Sequence, residues 1–169
     1  MQPTACRRQR DDDSYLGDLV ELLGQHPDVL SQVRADRALL PNLLEEALRL
    51  SSPVLFLFRH TPEPVELAGA VVPNGAMVAA LYASANRDPD VFEDPESFCL
   101  GRVNADRHVA FGSGIHFCVG SALARAEAYA CASSLLDRFS GIQLGKVQAG
   151  DDTGGIKLRS RKHLHVTFV

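Results

Sequence analysis

The stretch Ala128–Leu136 holds no charged side chain, so no part of it is marked for water. It lies within a run that starts near Val119, reaches about Phe139 and contains neither Gly nor Pro after Gly120. That run predicts one helix roughly 30 Å long. A helix with no polar face is ordinarily covered on every side, so this one asks for a large surrounding body. The chain has 169 residues, 46% hydrophobic and 22% charged, the balance of a folded chain and not of a disordered one. Its net charge of −4 argues against a general nucleic-acid binder. No apolar run reaches the ~18 residues of a membrane span. The start carries Arg7, Arg8 and Arg10 and then Asp11, Asp12 and Asp13, with no apolar core, and so is not a secretory signal. The expectation is a cytoplasmic protein with no nucleic-acid partner and no membrane span.

Residues 1–14 read as an irregular polar start. From Tyr15, apolar residues recur at helical spacing (Leu16, Leu19, Val20, Leu23) until Gly24–Pro27 breaks the pattern. Pro27 suits a first helical position, and Val29, Leu30 and Val33 form a stripe up to about Ala35. A third helix is predicted over residues 40–50, ended by Ser51-Ser52-Pro53. The middle turns β-like: Val54–Phe58 is apolar, and Val65–Leu67 and Val71–Val72 flank Gly69. Pro73-Asn74-Gly75 is a turn signal. Met77–Ala85 suits a strand running into a short helix. Asn86–Asn104 is a long irregular connection, a kind usually kept for function. After the long helix, short strands are expected around Gly145, Gly150 and Gly154-Gly155, and a half-buried strand over residues 163–168. The fold class is mainly α with small β-sheets (α+β).

Cys6, Cys99, Cys118 and Cys131 are irregularly spaced and include no C-x-x-C pair, which favours neither a disulfide framework nor a zinc site. His163 and His165 would share a strand face with no Cys beside them, and read as exposed strand residues. Cys118 is different. It closes Phe111-Gly112-Ser113-Gly114-Ile115-His116-Phe117-Cys118-Val119-Gly120, where three glycines permit a tight loop against something flat or bulky. It also stands where the loop enters the long helix. A helix N-terminus offers unpaired N–H groups and partial positive charge, which favour an anionic sulfur. Gly120 would let the backbone turn close to that sulfur. A thiolate so placed can be a nucleophile, a redox sensor or a metal ligand.

The pattern F-G-x-G-x-H-x-C-x-G resembles the haem-ligand signature of the cytochrome P450 family, the haem-thiolate monooxygenases. Six fixed residue types at fixed spacing would arise by chance on the order of once in 10⁸ positions. The likeness continues through Leu123-Ala124-Arg125 and Glu127, and upstream through Asn86-Arg87-Asp88-Pro89 and His108. It covers roughly residues 15–169. The resemblance implies the C-terminal half of the cytochrome P450 fold, with haem b (iron protoporphyrin IX) as cofactor and Cys118 as the axial ligand of its iron. Phe111 would shield the sulfur, Gly112 and Gly120 would shape the loop, and His116 and Arg59 would reach haem propionates. Glu46 and Arg49, an E-x-x-R pair on one helix face, would form a buried structural motif.

The family usually completes that motif with an Arg or His where Ser97 stands here, a departure that would leave buried charge under-compensated; Arg102 is a nearby candidate that the sequence does not place. The implied activity is oxidation of a small organic substrate with O₂ and with electrons from a ferredoxin-type or flavin donor. Full members are more than twice this long, and their distal acid-Thr pair has no counterpart near Asp11–Ser14. The expectation is therefore a truncated enzyme with no certain catalytic residue. The alternative is a non-catalytic haem-binding remnant lacking the distal pocket, and a weaker third reading is a redox-sensing thiol protein using Cys118. The composition change at Ser14 further suggests a misassigned start over residues 1–13.

Overall fold

Three helices, α1 (Ala5–Gln25), α2 (Pro27–Ala35) and α3 (Leu40–Ser51), are followed by small sheets, a long irregular segment and the helix α5 (Ser121–Arg138). The computed structural model describes residues 5–146, 156–159 and 163–169, with the side chains of residues 5–14 left aside. The strand signals at Gly150 and Gly154-Gly155 lie outside the described residues.

Pro27 does open α2, with Asp28 in its first turn and Arg34 in its last, each sign matched to the nearer end of the helix dipole. Helix α3 stops where Ser52 takes a left-handed conformation (φ 41°), ahead of Pro53. The core sits between α1, α2, α3 and one face of α5. Leu19, Leu23, Val33, Leu40, Leu43, Ala128 and Ala132 are all buried completely. Each such Leu contributes roughly 1.5–3 kcal/mol on burial.

One expectation about the helices is corrected. The start expected to be irregular over residues 1–14 is helical from Ala5 on, because residues 5–13 contain neither Gly nor Pro and charge alone does not bar a helix. The break expected over Gly24–Pro27 falls at His26, between α1 and α2. A Cβ at Gly24 would lie 2.7 Å from Leu144 Cδ2, so this glycine admits a crossing strand. Helix α5, expected to ask for a large surrounding body, is covered on one side by the described residues. Ala124, Ala128, Ala132 and Leu136, four apart, form one buried stripe, while Tyr129 on another face is 46% exposed. The small alanines let α5 approach α1 and α3 closely. At the far end of α5, Arg34 donates to the carbonyls of Leu136 (3.3 Å), Phe139 and Ser140 (2.8 Å), which satisfies acceptors the helix leaves open.

The β structure consists of three two-stranded antiparallel sheets. Strand β1 (Leu57–His60) pairs with β4 (Met77–Ala80), setting Arg59 opposite Val78. Strands β2 (Val65–Leu67) and β3 (Ala70–Val72) form a hairpin around Ala68-Gly69. Strand β5 (Ile142–Leu144) pairs with β6 (Val166–Phe168). The apolar run at Val54 enters its strand only at Leu57, with Val54 itself bridging Leu158. His163 and His165 precede β6 in place of lying within it, although the alternating exposure from His163 to Phe168 holds. A short helix, α4 (Tyr82–Ala85), follows β4 and leads into the irregular residues 86–104.

Candidate functional site

The loop ahead of α5 is closed by its own backbone. The Cys118 N–H donates to the Phe111 carbonyl (2.9 Å), Phe117 N–H to Gly114 (3.0 Å) and Gly112 N–H to Val109 (2.8 Å). Gly112 and Gly114 stand at φ 74° and 69°, a region that side-chain-bearing residues rarely enter. Gly120, expected to let the backbone turn close to the sulfur, is buried and has φ −85°. Cys118 is exposed and stands three residues before Ser121, whose N–H donates to its carbonyl (3.2 Å). The side chains around it are apolar and bare: Ile115 is 97% exposed, Val119 93%, and Phe117 and Leu123 half exposed. Inward from them lies a cavity of about 220 Å³, where Phe111, Gly112, His116, Cys118 and Gly120 share the wall with Tyr82.

Phe111 is gripped from behind. The Arg125 guanidinium lies 4.7 Å from its ring centroid, and the rings of His108 (5.9 Å) and Phe117 (6.4 Å) flank it. Arg125 is fixed in turn by Glu45, through Nε (2.6 Å) and Nη2 (2.8 Å), a two-pronged pairing. His108 Nε2 meets the same carboxylate at 3.0 Å. The Ala110 N–H donates to His108 Nδ1 (3.1 Å), so Nε2 carries the proton and donates to Glu45. Burial alone would raise the Glu45 carboxyl; the hydrogen bonds from Arg125 and His108 overcome it and bring the group from 4.5 down to about 2. Tyr15 lies alongside, donates to the Leu44 carbonyl (3.0 Å), and is pushed well up by burial and then by the Glu45 charge.

The next residue, Glu46, faces a second network. Arg49 donates to it through Nε (2.7 Å) and Nη2 (2.9 Å), and both side chains are wholly buried. Arg102 Nε donates to the same carboxylate at 2.9 Å. Ser97 thus leaves no gap: Arg102 supplies the second guanidinium, and the Ser97 carbonyl accepts from both arginines (3.2 Å each). The carbonyls of Asn86 (2.8 Å) and Pro95 (2.7 Å) also accept from Arg49, and that of Glu93 (2.6 Å) from Arg102. They offset the second positive charge. Asn86 ties this cage to the cysteine loop, since its Oδ1 accepts from the Val109 N–H (2.7 Å).

Arg59 lies half-buried on β1 and donates to the Tyr82 hydroxyl (3.0 Å) and the Phe58 carbonyl (2.9 Å). Among the described residues it faces no carboxylate. His116 closes the turn Gly114–His116 with its side chain at the cavity. The loop residues and Arg59 therefore converge on one region, whereas Glu46 and Arg49 belong to the structural cage. Cys131 and Cys99 stand apart, and burial pushes the Cys131 thiol up. His163 and His165 lie with ring centroids 6.4 Å apart beside β6.

The family model described as Cytochrome P450 matches residues 18–165. The chain belongs to the cytochrome P450 family. It is 46% identical over 132 residues to cytochrome P450 107B1 of Saccharopolyspora erythraea, covering 78% of this chain and 32% of that protein. It is 38% identical over 142 residues to the cyclomarin C epoxidase CymV of Salinispora arenicola, covering 83% and 36%. Among solved structures, substrate-free CYP150A6 of Mycobacterium marinum superposes with a TM-score of 0.88 at 35% identity, over 95% of this chain and 41% of that one. The chain thus spans about a third of the length of these curated relatives. Its helices and small sheets are those of part of the P450 fold. No helix among the described residues is long and apolar enough to cross a membrane.

Sequence reading passed over Glu45 and Tyr82. Glu45 carried one available signal: it adjoins the E-x-x-R glutamate, and two neighbouring carboxylates on a helix point 100° apart, so they must serve different partners. Tyr82 carried none, since its meaning comes from Arg59 across the sheet.

Proposed function

We propose that this chain is the thiolate-ligand portion of a haem-thiolate monooxygenase. The carrying observation is the closed Phe111–Cys118 loop, which holds a thiol at the wall of an apolar cavity at the head of α5. The donor set fits haem b. Cys118 is a soft ligand for iron, the apolar side chains suit a flat macrocycle, and His116 and Arg59 are donors for its carboxylates. Gly112 lets the loop pack against the Tyr82 hydroxyl, where an added Cβ would lie at 3.4 Å.

Thiolate-ligated haem supplies the activation of O₂ from which one oxygen atom enters an organic substrate. The residues of this chain bind and orient it. Cys118 provides the sulfur. The Phe111 carbonyl fixes the Cys118 backbone, and the Phe111 ring shields the sulfur. Glu45 and Arg125 hold that ring from behind. Arg59 and His116 neutralise propionates. A ferredoxin-type or flavin protein is the proposed electron donor, and a small organic molecule the substrate, in a cytoplasmic enzyme. Residues 15–169 form the proposed P450 portion.

The test is the carbon monoxide difference spectrum of the reduced, haem-reconstituted chain. A band at about 450 nm is expected, and Cys118→Ala abolishes it. Absence of haem uptake overturns the proposal and leaves the thiol-sensor reading. A band without turnover of any substrate supports the haem-binding remnant.

A further inference from the structure

Tyr82 is buried at the cavity wall that it shares with Cys118 and His116, and nothing above gives it a role. Its hydroxyl accepts a hydrogen bond from Arg59 Nη2 at 3.0 Å. Among the described residues that is the hydroxyl's only hydrogen bond, so its own proton has no acceptor. A phenol can accept and donate at once, and a buried donor left unused is costly. Arg59 is likewise without a carboxylate among the described residues, so a positive charge and an uncommitted O–H stand side by side. Arg59 does not itself line the cavity, whereas Tyr82 does. The Tyr82 hydroxyl lies against the Gly112 Cα, where a Cβ would already be at 3.4 Å, and so reaches the base of the loop that carries Cys118.

Together these contacts describe half of a carboxylate site: a guanidinium, a phenolic donor polarised by it, and no anion. We infer that Tyr82 is a cofactor-binding residue whose hydroxyl donates to a haem propionate, with Arg59 behind it. This rests on the reading of Cys118 as haem ligand. Donation to Tyr82 makes its O–H a stronger donor, since linked hydrogen bonds polarise one another. The carboxylate then neutralises Arg59 through a charge-assisted contact.

The test is the rate of haem loss from the full chain to an excess of apomyoglobin, followed by Soret absorbance. Protohaem and its dimethyl ester, whose carboxylates are blocked, are compared. Tyr82→Phe keeps the ring and removes only the hydroxyl. With protohaem, the variant is expected to lose cofactor roughly tenfold faster than the unaltered chain, the size of one hydrogen bond to a charged group. With the dimethyl ester the two chains are expected to lose it equally, and the band at about 450 nm stays in both. Equal rates with protohaem overturn the role of Tyr82 while leaving Cys118 as ligand. Faster loss of both porphyrins also overturns it, because the hydroxyl would then only brace the fold. Failure of the unaltered chain to take up protohaem overturns the haem reading and this one with it.

Discussion

Glu45 and Glu46 are neighbours on α3, yet they hold different halves of the molecule. Glu46 is fully buried, faces Arg49 and Arg102, and pins the irregular segment through a cage of backbone carbonyls. Glu45 keeps 17% of its side chain exposed and faces Arg125 and His108, the supports of the cysteine loop. The difference lies in what each carboxylate would leave behind if removed. Loss of Glu46 strands two guanidinium groups in the interior. Loss of Glu45 frees Arg125, 36% exposed, to turn toward water. The first glutamate is tied to the existence of the fold and the second to the exact seat of one loop.

The strongest way to break that contrast is Arg102→Ala. It is expected to cost about 3 kcal/mol in urea unfolding, because a buried carboxylate and several carbonyls lose a charged donor. A loss below ~1 kcal/mol would show that Arg49 alone satisfies Glu46. Glu45→Gln is expected to cost less, about 2 kcal/mol, the scale of a hydrogen bond to a charged group. Its mark should be on the carbon monoxide spectrum, with the thiolate band reduced at temperatures where the far-ultraviolet signal is intact. If the band falls only in step with unfolding, Glu45 has no special tie to the loop.

The same glutamate sharpens the comparison through pH. Its carboxyl titrates at about 2 in the folded chain against an ordinary 4.5. The folded state therefore binds this proton less readily than the unfolded chain. The stability due to Glu45 is complete above its ordinary value and drains away as pH falls toward 2. In Glu45→Gln that part of the acid slope should vanish, as read from unfolding midpoints across the interval. The smallest effect is expected at Arg37–Asp137, an ion pair at 2.7 Å with side chains 36% and 69% exposed. Asp137→Ala should change stability by less than ~1 kcal/mol, since water screens such pairs.

These two networks also mark what could be read from the chain alone. Glu46 and Arg49 are three residues apart, and helical geometry by itself sets them side by side. Arg102 lies 56 residues from Glu46, and Arg125 lies 80 from Glu45. No local rule brings those together; the path of the irregular segment and the packing of α5 on α3 do. The cysteine loop was legible because its constraints are local: two glycines at positive φ, a closing hydrogen bond and a helix start. The cover that α5 asks for is supplied by the described residues on one side only. Absence of charge states what a face tolerates, whereas coverage depends on which other elements reach it. Of the described elements, α1 and α3 reach one side of α5.

Helix α5 is held near its head by Arg125, which it extends to Glu45, and at its tail by Arg34, which it receives from α2. In engineering terms it is a strut pinned at both ends, some 27 Å long at 1.5 Å per residue. Such a member neither slides along its axis nor rolls about it, so the sulfur three residues ahead of it inherits a fixed address. The alanine stripe sets how deep the strut lies, and the two arginines set where it begins. The placement of the cysteine sulfur is thereby referred to a joint on the far side of the molecule.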